Sequence, residues 1–189
     1  MQSHRAAIVG LTGIGAARPA EHPLIASPRS HAAAYHRHPH TELVAVCDKN
    51  PAVLEQFRQT WQDVWPQLGY YEDHRAMLAE VAPDMLSVVT SDHAHADIVV
   101  DGAQGSPAAI LCEKPIATTL ADADRMIAAC EASGASLHVG YSLRFNRPYL
   151  VGKQQILDGK LGRIVSGAAR HYHTKANGLK ILARSEEAT

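Results

Sequence analysis

The sequence predicts an α/β domain built on a parallel sheet, followed by only the start of a second, α+β domain. Three observations predict it. Short, β-branched apolar runs alternate with helical spacings along most of the chain. A cluster of glycines at residues 10–15 follows the first run directly. After Tyr141 the alternation of strand and helix breaks down.

The apolar runs are Ala6–Val9, Glu42–Cys47, Met85–Thr90, Ala109–Cys112 and Ser136–Gly140. Their near-continuous hydrophobicity is that of parallel strands covered on both faces. Between them lie helices expected at His31–His38, Pro51–Trp61, Asp73–Glu80, His93–Ala103 and Leu120–Ala132. Asn50 and Pro51 suit the cap and first position of the second of these. Thr118 or Thr119 can cap the last, and Gly134 ends it. Strand and helix alternating five times, with right-handed crossovers, make a doubly wound, Rossmann-like parallel sheet.

Residues 16–30 (AARPAEHPLIASPRS) hold three prolines and no sustained periodicity, so they read as an inserted loop. The helix facing the glycines is therefore expected to begin late. Past residue 142, Pro148–Asp158 has helical spacing, residues 159–162 suit a turn, and Arg163–His173 reads as an extended run. Residues 1–142 are thus assigned to the first domain and 143–189 to a truncated start of a substrate and dimerisation domain.

Composition restricts the partners. Of 189 residues, 46% are hydrophobic and 20% charged, and the net charge is −1, which argues against a cationic nucleic-acid surface. No apolar stretch approaches the roughly 18 residues of a membrane span. Cys47, Cys112 and Cys130 are odd in number and lack CxxC spacing, as expected of buried thiols in a reducing, cytoplasmic setting.

The glycine cluster carries the first chemistry. Gly10-Leu11-Thr12-Gly13-Ile14-Gly15 follows the first strand. A dinucleotide fold needs glycine there, because the turn is tight and backbone N–H groups must approach a pyrophosphate. Gly10 and Gly15 match the outer positions of GxGxxG, while Thr12 stands at the middle one with Gly13 beside it. Any tight strand-to-helix turn would look similar. Asp48 ends the second strand, where a carboxylate accepts hydrogen bonds from a ribose. It lies 33 positions beyond Gly15 against the usual gap of about 20, an excess the inserted loop explains. Lys49 would tolerate a 2′-phosphate, so NAD is expected, with NADP left open.

Further segments fall in a fixed order. Thr90-Ser91-Asp92-His93-Ala94-His95 follows the Met85 run, and Cys112-Glu113-Lys114-Pro115 the next. Leu143-Arg144-Phe145-Asn146-Arg147-Pro148 and Asp158-Gly159-Lys160-Leu161-Gly162-Arg163-Ile164 come later. Over residues 6–167 this set resembles the Gfo/Idh/MocA oxidoreductases, which include glucose–fructose oxidoreductase and inositol dehydrogenase. The resemblance implies hydride transfer between NAD(P) and a sugar or polyol. It places Lys114 beside the nicotinamide and the substrate oxygen as the proton-transfer residue. Glu113 and Pro115 would shape its turn, which is often cis in the family. Thr90 and Ser91 would face the nicotinamide ribose, His95 would shape the cofactor cleft, and Arg144 would reach the substrate.

Competing readings are a dinucleotide-binding module without turnover and a short-chain dehydrogenase. The latter is suggested by Tyr149-x-x-x-Lys153 with Ser136 upstream, although Arg18 and Ala20 break that family's glycine pattern. Tyr149 is better read as a packed aromatic. The histidines at 31, 36, 38 and 40 lack a completing ligand set, so no metal is expected and they read as solvated or junction residues. Residues 167–189 show no DxxxH helix of the kind the resemblance implies for substrate binding. Most of the substrate domain is therefore expected to be missing. An uncovered sheet face would favour self-association or a partner chain that supplies it.

Overall fold

A computed structural model describes residues 3–18, 28–105 and 107–170. The chain divides into two compact units, 1–140 and 141–189, a boundary two residues before the expected one.

The first unit is a six-stranded sheet of order β3-β2-β1-β4-β5-β6. Its strands are β1 (His4–Val9), β2 (Thr41–Cys47), β3 (Gly69–Tyr71), β4 (Met85–Val88), β5 (Ala109–Cys112) and β6 (Ser136–Val139). Every neighbouring pair is parallel. The helices are α1 (His31–Arg37), α2 (Pro51–Trp61), α3 (His74–Val81), α4 (His95–Gln104) and α5 (Leu120–Ser133). One strand, β3, escaped the sequence reading. It has three residues, begins with glycine, and pairs only along the edge of β2.

Both faces of the central strands are apolar because both are covered. On one face Ala6, Ile8 and Val46 pack under Ala32 and Ala33 of α1 and Leu54, Phe57 and Trp61 of α2. On the other, Ala7, Val9, Leu86, Val88 and Ile110 pack under Met77 of α3, Val99 of α4 and Met126 of α5. The caps are local chemistry. Asn50 accepts from Ala52 N–H with Pro51 at the first turn, and Thr119 accepts from Asp122 N–H. Gly134, at φ 77°, closes α5 in the left-handed conformation.

As expected, the helix that faces the glycines begins late, at His31, beyond the inserted loop. Residues 13–16 already form a turn, with the Gly13 carbonyl accepting from Ala17 N–H at 3.0 Å. The helix α1 then docks end-on. His31 N–H donates to the Ile14 carbonyl at 2.8 Å and Ala32 N–H to the Gly15 carbonyl at 3.1 Å. The ends of the excursion are tied together, since Ser30 Oγ donates to the Ala17 carbonyl at 2.6 Å. Trp61 indole N–H donates to the Ala16 carbonyl at 2.7 Å, and Arg18 forks onto Asp63 at 2.6 and 2.9 Å. Residues 19–27 of the insertion lie outside the described residues.

The second unit holds a 3-10 turn, Ser142–Phe145, and the helix α6, Arg147–Leu157. Turns at Gly159 and Gly162, both at positive φ, follow it. The expected extended run beginning at Arg163 forms no strand over residues 163–170; its last three residues fall outside the described ones. Tyr149, expected to pack, is exposed on α6. Among the described residues no helix is long and apolar enough to cross a membrane.

Candidate functional site

The parallel ladder brings the sequence motifs to one edge. Just past the strand ends, Gly10 N–H donates to the Cys47 carbonyl at 2.8 Å and Val89 N–H to the Val9 carbonyl at 2.8 Å. Glu113 N–H donates to the Val88 carbonyl at 2.9 Å and Gly140 N–H to the Cys112 carbonyl at 2.8 Å. Gly10, Asp48, Thr90 and Glu113 therefore emerge side by side at the carboxyl ends of β1, β2, β4 and β5. The order of strands reverses between β1 and β4, and a doubly wound sheet binds ligands at such a switch point.

The glycine loop is an open cradle. Gly10 has φ 93°, and a Cβ there would lie 2.6 Å from the Val89 carbonyl carbon and oxygen. A Cβ on Gly15 would collide with the Gly10 carbonyl oxygen. Gly13, at φ 51°, faces open space. Thr12, Gly13 and Ile14 are exposed, and among the described residues their N–H groups have no protein acceptor. Three consecutive free donors at the start of a helical turn fit an anionic group such as a diphosphate.

Asp48 closes one side. Its Oδ2 accepts from Leu11 N–H at 3.0 Å and its Oδ1 from Asn50 N–H at 3.0 Å. Each oxygen keeps a second acceptor position, so the carboxylate can hold the loop and still receive ribose hydroxyls. Lys49 beside it is exposed.

Across the edge, the Lys114–Pro115 peptide is cis. His95, 1% exposed, spans the gap between the two loops. Its Nδ1 lies 2.9 Å from the Pro115 carbonyl and its Nε2 3.1 Å from the Thr90 carbonyl. The Thr90 and Lys114 turns are thus joined through one imidazole. Thr90 is half-buried, and Ser91 is exposed beside it. The Lys114 side chain is exposed, and among the described residues its amine has no ion-pair partner. Arg144 lies in the second unit, exposed in its 3-10 turn.

A buried polar chain that sequence reasoning did not assign to the site runs to Glu113 through His31. His31, expected to be a solvated or junction residue, is buried, with Nε2 3.2 Å from Glu113 Oε1 and Nδ1 3.0 Å from Ser87 Oγ. Tyr35 Oη lies 2.8 Å from the same Ser87 Oγ. Gly140 leaves room for the carboxylate, since a Cβ there would lie 2.6 Å from Glu113 Oε1. A serine inside the apolar run Met85–Val88 was the available signal.

The His31 hydrogen bond holds the Glu113 carboxyl below its ordinary range, against burial, which pushes it up. A depressed carboxylate contributes stability fully above its unfolded value of about 4.3 and loses it as pH falls through the lower folded value. Wild type should therefore lose more stability than Glu113→Gln on acidification below about pH 4, read as urea midpoints at pH 7 and pH 3. Equal losses would show that Glu113 is not held in its charged form.

With this geometry in hand, comparison with known proteins is decisive. A family model described as an oxidoreductase family with an NAD-binding Rossmann fold matches residues 5–141. The chain belongs to the Gfo/Idh/MocA oxidoreductase family. Among relatives, D-apiose dehydrogenase of Paraburkholderia graminis is 34% identical over 84% of this chain and 41% of its own length. Inositol 2-dehydrogenase of Salmonella typhimurium is 29% identical over 70% of this chain and 38% of its own. The WlbA dehydrogenase of Bordetella pertussis, solved with NADH and UDP-GlcNAcA, superposes with a TM-score of 0.70 at 26% identity. It covers 86% of this chain and 44% of that one. The chain thus spans about two fifths of the length of the relatives it matches.

Family membership sets aside the short-chain dehydrogenase reading. In this Gfo/Idh/MocA chain Ser136 Oγ pairs with His138 Nε2 at 2.9 Å on β6, while Tyr149 and Lys153 belong to the second unit. Among the described residues no three His, Cys, Asp or Glu side chains gather as metal ligands.

Proposed function

We propose that this chain binds NAD(H) across the carboxyl edge of its sheet and serves a hydride transfer to or from a hydroxyl carbon of a sugar or polyol. The observation that carries this reading is the open row of N–H groups at Thr12–Ile14, flanked by the Asp48 carboxylate, on the same sheet edge as the Lys114 turn. NAD(H), when bound, supplies the hydride acceptor or donor.

The chain's own residues do the rest. Gly10, Thr12, Gly13, Ile14 and Gly15 hold the diphosphate through backbone N–H groups and close approach. Asp48 accepts from the adenosine ribose hydroxyls, and its charge disfavours a 2′-phosphate, with Lys49 alongside as the group that would accommodate one. Thr90 and Ser91 face the nicotinamide ribose, and His95 keeps their loop tied to the turn of Glu113, Lys114 and Pro115. The Lys114 amine takes the hydroxyl proton as hydride leaves the same carbon, and returns it in the reverse direction. Arg144 is assigned to the substrate. Inositol and D-apiose dehydrogenases among the relatives support a polyhydroxylated substrate.

Calorimetry with NADH and NADPH tests this. A charge-assisted hydrogen bond is worth roughly 1.5–3 kcal/mol, so Asp48→Ala should weaken NADH about 10- to 100-fold. NADPH should lose much less, so the preference narrows or reverses. An unchanged NADH-to-NADPH ratio would remove Asp48 from the ribose, and no binding of either nucleotide to wild type would end the proposal.

A further inference from the structure

The buried chain of polar groups behind Glu113 is costly where it stands. Ser87 is fully buried in the middle of a central strand, and His31 and Tyr35 are buried beside it. Their surroundings are apolar: Ala34, Met85, Ala109 and Leu111 line a cavity of about 140 Å³ against the same two α1 side chains. Hydrophobic residues at these three positions would satisfy the fold without desolvating two hydroxyls and an imidazole. The polar set also has a single consistent direction. Glu113, as a carboxylate, can only accept, so the proton of a neutral His31 sits on Nε2 and points at Oε1. His31 Nδ1 then accepts from Ser87 Oγ–H, and Ser87 Oγ accepts from Tyr35 Oη–H. His31 and Tyr35 are four residues apart on α1, so one helix face presents both. At the other end, Glu113 Oε2 accepts from Lys114 N–H at 3.3 Å.

Resting on the reading of Lys114 as the proton-transfer group, we infer that His31 is a positioning residue, which, oriented by Ser87 and Tyr35, fixes the Glu113 carboxylate and through it the main chain of Lys114. The brace originates on α1, the element docked on the glycine loop through the Ile14 and Gly15 carbonyls. The same helix therefore touches the nucleotide cradle and the proton-transfer turn. The titratable groups facing the Glu113 carboxylate are His31 from α1 and Lys114 from its own turn, while Gly140, just past β6, presents no side chain to it.

The test needs neither nucleotide nor substrate. Carbon-13 NMR of the carboxyl groups follows the Glu113 titration, and hydrogen exchange follows the Lys114 amide, in wild type, His31→Leu, His31→Gln and Tyr35→Phe. In His31→Leu the Glu113 midpoint should rise by at least one pH unit, and Lys114 N–H should exchange at least fivefold faster. The β5 amides of Ile110 and Leu111 should keep their protection, which a general loosening of the sheet would not allow. His31→Gln, which restores an N–H donor, should recover at least half of both effects. Tyr35→Phe removes one oxygen and keeps the packing, so it yields an answer even if the leucine variant fails to fold. It should shift both readouts in the same direction by a smaller amount. A Glu113 midpoint and a Lys114 exchange rate unchanged in every folded variant would overturn the inference. Failure of wild type to bind NADH would instead sink the reading of the site and leave these results standing.

Discussion

Replacing Lys114 with alanine should reduce turnover on sugars and polyols by about 10²- to 10⁴-fold, the usual worth of a positioned acid–base group. The affinity for NADH should stay within about threefold. The two effects separate because the nucleotide is held elsewhere. On the proposed reading its diphosphate meets the N–H groups of Thr12–Ile14 and its ribose meets Asp48, both at the β1 and β2 ends. Lys114 projects from the end of β5, two strands from β1 across β4. Its amine has no ion-pair partner among the described residues and is free to meet a substrate oxygen. Steady-state rates with a panel of hexoses, pentoses and cyclitols, alongside calorimetry, would check this. Comparable rates in the variant on any substrate that wild type turns over would assign proton transfer to another group.

Gly10→Ala should be strongly disruptive. Its φ of 93° is strained for any L side chain, and the added Cβ would meet backbone atoms of Val89 and Thr90 at 2.6–2.7 Å. Those atoms belong to the main chain at the end of β4 and cannot rotate away. Strain of about 1–3 kcal/mol and overpacking of similar size add to a loss of about 2–5 kcal/mol. For a chain of this length that is a fall of roughly 5–15 °C in Tm. NADH binding should be lost with it, because the loop would be pushed off β4. Gly13→Ala is the control. Its φ is also positive, at 51°, but nothing lies within 4 Å of the added methyl, so about 1 kcal/mol of strain is all it should cost. Equal thermal stabilities for the two variants would mean that the close approach of β1 and β4 does not constrain the loop.

The alternation of apolar runs with helical spacings made five of the six strands and all five helices of the sheet domain legible. Parallel strands covered on both faces leave a strong signal, as the burial of Ala6, Ile8 and Val46 on one side and Ala7, Val9 and Val88 on the other explains. The edge strand β3 left none, because Gly69, Tyr70 and Tyr71 are too few to display a period. The union of the glycine turn with α1 was also hidden. It depends on two hydrogen bonds that leap over residues 16–30, and no local pattern encodes a contact of that range. The same jump explains the long spacing to Asp48, which reaches the loop at Leu11 despite it.

The site was legible where residues sit at strand ends, since topology alone brings those ends together. Gly10, Asp48, Thr90 and Glu113 follow from that rule. His31 did not, because its burial depends on α1 docking over β4 and not on its sequence neighbours. Within His31-Ala-Ala-Ala-Tyr35 the helical spacing was visible, but Ser87, which makes that face polar for a reason, lies 52 positions beyond Tyr35.

The most direct test of the central claim is an NADH titration of nitrogen-15-labelled protein, followed amide by amide. The account predicts that Thr12, Gly13 and Ile14 shift together and saturate at one concentration, with Lys114 and Ser91 moving on the same curve. Shifts confined to other surfaces, with residues 12–14 and 114 unmoved at saturating NADH, would contradict it.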